Sequence, residues 1–370
     1  MRVDKSKWQK IFLGEVCNLY QPKTIATSCL DSNGKYLVYG ANGVIGKYNE
    51  YNHKFPEVLI TCRGATCGTI NISKPFSWIN GNAMVVHPKE ENLLDFAFLG
   101  KAVSAIDYSK VITGAAQPQI TRANLQKVQI VIPTLVEQQT IASELDAVQE
   151  MIDGYKAQIA DLDALAQSIF LDMFGDPVTN PKGWEKGFLN KYASIGTGAT
   201  PSRKIVSYYE GDIPWVKSTE VHNSYIWETQ EHITKEAIDN SNCSIYLPDT
   251  ILVAMYGQGK TRGQVGLLRI KAATNQACAA IQCKDSLNPT FCYWHFQMCY
   301  EANRELGNGT NQKNMNLTIV GNIKFIIPPL SLQQEFAFKI ESIEKQKELI
   351  CKQLEDAKTM MAERMQYYFS

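Results

Sequence analysis

Side chains that carry hydrogen-bond donors and acceptors recur in the glycine-rich stretches of this 370-residue chain. In the first half Asn42 stands in ANG, Arg63 and Thr66 in RGAT, Asn80 and Asn82 in NGN, and Gln117 in GAAQPQ. In the second half Thr200, Ser202 and Arg203 stand in GATPSRK, Lys217 and Ser218 in WVKS, and Gln258, Lys260 and Arg262 in GQGKTRG. Asn275 follows in TNQ, and Gln312 and Lys313 in GNGTNQKN. The chemistry these groups suit is non-covalent. Asn, Gln and Arg make the paired hydrogen bonds that read base edges, and glycine lets backbone come close to phosphate. Any one of these stretches is also what an ordinary surface turn looks like. Together they are the candidate nucleic-acid contacts.

Covalent chemistry finds no comparable constellation. Gly259-Lys260-Thr261 has the end of a phosphate-binding loop, but Ala254 stands where the motif needs glycine. The following GQVGLLRI reads as a strand, whereas a phosphate loop opens a helix. Asn288-Pro289-Thr290-Phe291 is close to the amino-methyltransferase tetrapeptide, yet Thr290 replaces the second proline and no glycine-rich cofactor turn accompanies it. A helix N-cap at Asn288 or Thr290 is the simpler reading. Pro248-Asp249 lacks the spaced Glu-x-Lys of many nucleases, and the five histidines have no metal-ligand spacing. The ten cysteines contain no C-x-x-C pair and read as reduced, buried thiols. No catalytic residue, metal or cofactor is expected in the chain itself.

The elements that must hold the polar loops are short strands and two long helices. Gly34–Tyr48 alternates around Asn42-Gly43, a strong hairpin signal. Glu57–Ser73 gives strand, glycine loop and strand, and Trp78–Pro88 closes the first β-rich portion. Asp249–Ile270 repeats the strand–loop–strand form, and Ile213–Val216 reads as a buried strand. Helices are expected over Leu93–Ile106 and Thr290–Leu306. From Ile141 onward, apolar residues fall at steps of three and four through Leu145, Ile152, Ile159 and on to Met173, an a/d seam on one long helix. A shift of 195 residues carries those ten positions onto Phe336, Ile340, Ile343, Lys347, Ile350, Leu354 and four more, with Lys347 the one polar exception. The lead-ins repeat as well, IVIPTLVEQQTIA against FIIPPLSLQQEFA. A fixed offset of this length is an internal duplication. Each helix, roughly 50 Å long if it runs about 35 residues, needs the other to cover its seam. A pseudo-twofold relation would make them antiparallel, with a globular part at either end of a rod.

A net charge of zero hides a division. Residues 1–135 carry 15 Lys and Arg against 9 Asp and Glu, whereas residues 136–175 carry 1 against 8. The first head has the charge for a nucleic-acid patch; the first helix is the wrong sign and reads as a spacer or partner surface. No run of eighteen apolar residues occurs, so no membrane span is expected. The first residues lack the apolar stretch of a secretory signal, which gives a cytoplasmic expectation.

In order, YGANGVIG, TGAAQPQI, the first IP-x-L…QQ lead-in, FGDP…NPKGWE, GATPSR…GDIPWVKS and the second lead-in span the chain. On these the sequence resembles the DNA-specificity subunit of type I restriction-modification enzymes. GTNQKNMN departs from the pattern by lacking a counterpart of Pro118. The resemblance implies an α+β fold: two mixed α/β target-recognition domains joined by two long antiparallel coiled-coil helices. The boundaries would be residues 1–133 and 176–328 for the domains, 134–175 and 329–370 for the spacer helices. It implies a non-catalytic subunit that reads a bipartite double-stranded DNA target. Two adenine-methyltransferase subunits would dock on the helices, and a translocase-nuclease subunit would join through them. The seam residues Ile141, Leu145, Ile152, Ile159, Phe336, Ile340, Ile350 and Leu354 are the candidates for helix pairing and partner docking. Two other readings remain: a specificity module of a different methyltransferase-endonuclease system, and a coiled-coil scaffold without base readout.

Overall fold

The structure, a computed structural model, describes residues 4–114, 117–257, 260–306 and 314–370. The chain divides into two compact units, Met1–Lys156 with Lys352–Ser370, and Ala157–Cys351. Each unit thus holds one globular half and a part of both long helices.

In unit 1 a two-stranded pair, β1 (Gln9–Phe12) and β9 (Gln129–Ile132), brings the ends of the globular half together. Helix α1 (Leu13–Val16) turns the chain into β2 (Cys17–Tyr20). The central sheet has the order β2, β8 (Ala83–Pro88), β5 (Val58–Thr61), β6 (Ile70–Ile72), all antiparallel. A smaller sheet sets β3 (Tyr36–Gly40) between β4 (Gly43–Tyr48) and the short β7 (Trp78–Ile79), the latter parallel. The Asn42-Gly43 turn joins β3 to β4, with Gly43 at φ +94°, a conformation that a β-carbon disfavours. Asp95 caps α2 (Phe96–Ser104), which lays Phe98 and Leu99 on the sheet, and Thr121 caps α3 (Arg122–Leu125). The core takes strand residues such as Leu19, Ile60 and Val86, together with Ile141 and Leu145 of the first long helix, α4 (Leu135–Phe174).

Unit 2 repeats the plan. β10 (Lys186–Phe188) pairs with β20 (Lys324–Ile326), and α5 (Leu189–Tyr192) leads into β11 (Ala193–Thr197). The sheet β11, β19 (Cys278–Cys283), β16 (Ile251–Ala254), β17 (Val265–Leu268) has the order of its counterpart and gains a parallel fifth strand, β13 (Ser224–Ile226). β12 (Ile213–Val216) stands between β14 (His232–Ile233) and β18 (Ala272–Thr274), with β15 (Ile245–Tyr246) beyond. Helix α6 (Lys235–Asp239) packs nearby. The parallel partners correspond: Val38 with Trp78 in unit 1, Trp215 with Ala273 in unit 2. The helix expected over Thr290–Leu306 is split at Cys299 into α7 (Pro289–Met298) and α8 (Tyr300–Arg304). Asn288 caps α7, as its sequence setting suggested. α9 (Leu317–Gly321) answers α3, and the second long helix is α10 (Leu330–Phe369).

Within each unit the long helices pair. In unit 2, Asp163 of α4 meets Lys347 of α10, and further along α4 Phe170 and Phe174 meet Phe336, each at 5.4 Å between ring centroids. Residue numbers rise on one helix as they fall on the other, so the pairing is antiparallel. In unit 1, Glu144 receives Arg364 at 2.9 Å and the Tyr368 hydroxyl. Ile141, Leu145, Ile152, Phe336, Ile340 and Leu354 are buried, and Ile159 and Ile350 half-buried. The seam is spent inside the chain: Phe336 and Ile340 share a core with Phe291 and Phe296 of α7, and Ile141 and Leu145 with Phe98. A fully covered side chain offers nothing to another subunit.

Candidate nucleic-acid interface

In both units the polar loops gather at the end of the central strand. In unit 1 the Cys62 backbone N–H, just past β5, donates to Asn82 at 3.2 Å, and its carbonyl accepts from Ile120 at 2.9 Å. Thr61 Oγ1 donates to Ala41, which draws in the Asn42 turn. Gly64 N–H donates to Pro118 at 3.1 Å, and Arg63 is bridged to Gln119. Four separate sequence stretches therefore meet within a few residues of β5. In unit 2 Met255, just past β16, makes the same two bonds: to Ala277 at 2.8 Å, and from Met315 at 3.0 Å. Asn275 N–H donates to Val216, and Thr197 Oγ1 to Cys278. The junction is a duplicated device, and it is why loops far apart in sequence share one surface.

Of the candidate contacts, Asn42, Arg63, Thr66, Asn82 and Gln117 in unit 1 and Thr200, Ser202, Arg203 and Lys260 in unit 2 are exposed. Asn42 is steadied by Asn71 at 3.3 Å and Thr200 by Gln276 at 2.6 Å. Lys217, Ser218, Arg262 and Asn275 are half-buried. Three candidates prove to be committed to the fold. Asn80 is 4% exposed, and its Oδ1 accepts from Ile25 N–H and Trp78 Nε1, so it pins the turn and is withdrawn from a reading role. Asn275 Oδ1 accepts from Ala277 N–H, and Arg262 donates to the Arg304 carbonyl at the end of α8. Short polar side chains suit such turns as well as they suit bases, and sequence gives no way to separate the two uses. Gln258, Gln312 and Lys313 lie outside the described residues.

Sequence reasoning also missed residues. Glu231 receives Arg203 at 2.6 Å and Lys217 at 2.7 Å. The Arg203 guanidinium lies 4.1 Å from the Tyr209 ring and 5.2 Å from Trp215. The hydrogen bond from Arg203, then that from Lys217, hold the Glu231 carboxyl below its usual range. An acid among basic loops gives no motif, and only the fold brings these residues together. Gln138 and Gln333, the first glutamines of the two QQ pairs, are wholly buried. Each accepts from the backbone of a helix N-cap, Asp95 or Asn288, at 2.9 Å and donates to the proline carbonyl five residues before it. Their signal was the repeated lead-in. Among the described residues no group of His, Cys, Asp and Glu is placed to hold a metal ion, and no helix is long and apolar enough to cross a membrane.

Two copies of one mixed α/β plan, each with a convergent polar loop surface, define a protein of two recognition domains. A family model described as type I restriction modification DNA specificity domain matches residues 5–163 and again 181–358, and the chain belongs to that family as a specificity subunit with two recognition domains. It is 24% identical over 335 residues to the type I restriction enzyme MjaIX specificity subunit of Methanocaldococcus jannaschii, covering 82% of this chain and 76% of that protein. The crystal structure of the type I restriction-modification S subunit from M. genitalium shares the fold, with a TM-score of 0.70 at 13% identity over 100% of this chain and 98% of that one. A structure titled for complex assembly and conformational transition of the type I system has a TM-score of 0.57 at 14% identity, with the same coverage.

Proposed function

We propose that this chain is the non-catalytic reader of a bipartite double-stranded DNA target, with residues 1–133 reading one half-site and 176–328 the other. The observation that carries the reading is the duplicated junction at Cys62 and Met255, which gathers polar loops onto one surface in each unit. The loop residues differ between the copies, so the two half-sites should differ. Asn, Gln and Arg at the tips supply base-edge hydrogen bonds, and nearby lysines supply phosphate contacts.

The long helices hold two adenine-methyltransferase subunits, through which a translocase-nuclease subunit joins. Support comes from the outer faces. On α10, Phe338, Leu349 and Met360 are exposed at intervals of eleven residues, three helical turns apart, and so form one stripe. On α4, Met151 and Leu165 are exposed two heptads apart. Apolar side chains repeated along one helix face suit a partner helix better than solvent.

Co-expression of the chain with an adenine methyltransferase that co-purifies with it, followed by single-molecule sequencing of the host DNA, tests the whole reading. A single two-part motif with a constant central gap is expected. A stable complex that leaves no sequence-defined methylation would turn the chain into a scaffold.

A further inference from the structure

The cluster around Glu231 is built to hold one guanidinium still. Arg203 lies in the loop after β11, and that loop is fastened at two points just before it. The Trp215 Nε1 donates to Ala199 at 3.1 Å, and the Tyr209 hydroxyl to Pro201 at 2.6 Å. The same two aromatic rings carry the guanidinium on their faces. Glu231 closes the arrangement from one edge, and its own backbone carbonyl is fixed by Trp215 N–H at 3.0 Å. Arginine has five N–H donors in a rigid fork. With one edge on Glu231 and a face on the rings, the remaining donors point from a side chain that is 52% exposed.

Such an arginine offers direction more than long-range charge, which is what a base contact uses. Arg203, Lys217 and Glu231 together carry only one net positive charge, so long-range attraction to the backbone is weakened. Direction is retained, because stacking and the ion pair remove the rotamer freedom a free arginine would lose on binding. A planar donor pair with fixed direction matches the O6 and N7 acceptors of guanine in the major groove. Among the described residues of unit 1 no arginine is held in this way: counting back equally from Val38 and Trp215, the counterpart of Arg203 is Ala26.

We propose that Arg203 reads a guanine in the half-site of the second recognition domain, with Glu231 as the positioning residue that fixes its guanidinium. This rests on the DNA-recognition reading given above and names the base for one contact.

The full chain is used to select from a randomised duplex library, and the enriched duplex is remade with 7-deazaguanine at each guanine in turn. One guanine is expected to matter, with affinity falling about 5- to 150-fold when its N7 is removed. Arg203→Ala should bind the two duplexes alike. Glu231→Gln, which keeps the shape and an acceptor, should lose most of the same discrimination while melting as the parent does. Its affinity for an unrelated duplex should hold or rise, since a negative charge is gone. Tyr209→Leu, which leaves the charges intact, should lose part of the discrimination. Persistence of the 7-deaza effect in Arg203→Ala would overturn the proposal. So would equal weakening of selected and unrelated duplexes with a salt slope reduced by about one, the signature of a phosphate contact. Full discrimination in Glu231→Gln would remove its positioning role. If the unaltered chain enriches no sequence, the recognition reading itself fails, an outcome distinct from all of these.

Discussion

At the scale of single residues, the chain spends its best hydrogen-bonding side chains on its own backbone before offering any outward. Gln138 and Gln333 are the clearest cases, each buried and each joining a helix N-cap to the start of a long helix. Gln138→Ala would strand the Asp95 N–H and the Leu93 and Pro133 carbonyls, all within hydrogen-bond distance of the present side chain. An unsatisfied buried group costs about 1–3 kcal/mol, so a loss of about 3 kcal/mol is expected, read as a lower urea midpoint. Gln333→Ala should cost a similar amount, because its partners correspond. His295 gives a pH prediction. It is buried, stacked on Phe325 at 3.8 Å, and its Nε2 accepts from Ile326 N–H. Burial, then the nearby Lys186, push its pKa down to about 3. The unfolded chain takes up a proton near pH 6.5 that the folded chain refuses. The His295 contribution is therefore intact above about pH 6.5 and is lost steadily as pH falls toward 3. His295→Gln keeps an acceptor for Ile326 and cannot titrate; its stability curve should be flatter over that window, and an unchanged slope would contradict the assignment.

At the scale of elements, the long helices were the most legible part of the sequence, because ten positions in steps of three and four leave few other foldings. The hairpin at Asn42-Gly43 and the strand–loop–strand of Asp249–Ile270 were legible for the same reason, as local turn chemistry and alternation set them. The cores against which the seam packs were not legible. Periodicity names the face of a helix that is buried without naming what buries it, and here α2 and α7 share that work. The polar loops were legible as a group but not one by one, since Asn80 and Asn82 differ by two residues and one is buried while the other is exposed. Lys347 shows what the exception in a seam is for. Burial opposes its charge, but hydrogen bonds to Asp163 at 2.6 Å and to Glu344 more than offset that, and its pKa is raised. A polar group at a seam position fixes register. Ile152 has no such partner set. Ile152→Asp would place an unpaired charge at a buried site and is expected to cost about 3–5 kcal/mol. Circular dichroism melting reads the loss, and a melting point within a degree or two of the parent would show the seam to be slack.

At the scale of the whole molecule, the duplication is the property that makes function separable. Each unit has its own central sheet, its own junction and its own loop surface, and the same backbone bonds are made in both around different side chains. Each loop surface therefore rests on backbone bonds made within its own unit. Arg63 is exposed beside Gln119 in unit 1, and Lys260 is exposed in unit 2. Under the proposed function, Arg63→Ala should relax one half of the methylated motif by about 1–3 kcal/mol of discrimination, with the other half read as before. Lys260→Ala should act on unit 2 alone, as a weaker and more salt-dependent loss if its ammonium meets phosphate. Assembly with a methyltransferase should survive both changes, since neither residue lies on the long helices. The measurement is the distribution of methyladenine over all near-matches of the motif for each variant. Relaxation confined to one half in each case follows from two independent readers. Simultaneous relaxation of both halves by Arg63→Ala would mean that the two surfaces are energetically coupled, and the duplicated domains would then have to be treated as one binding unit.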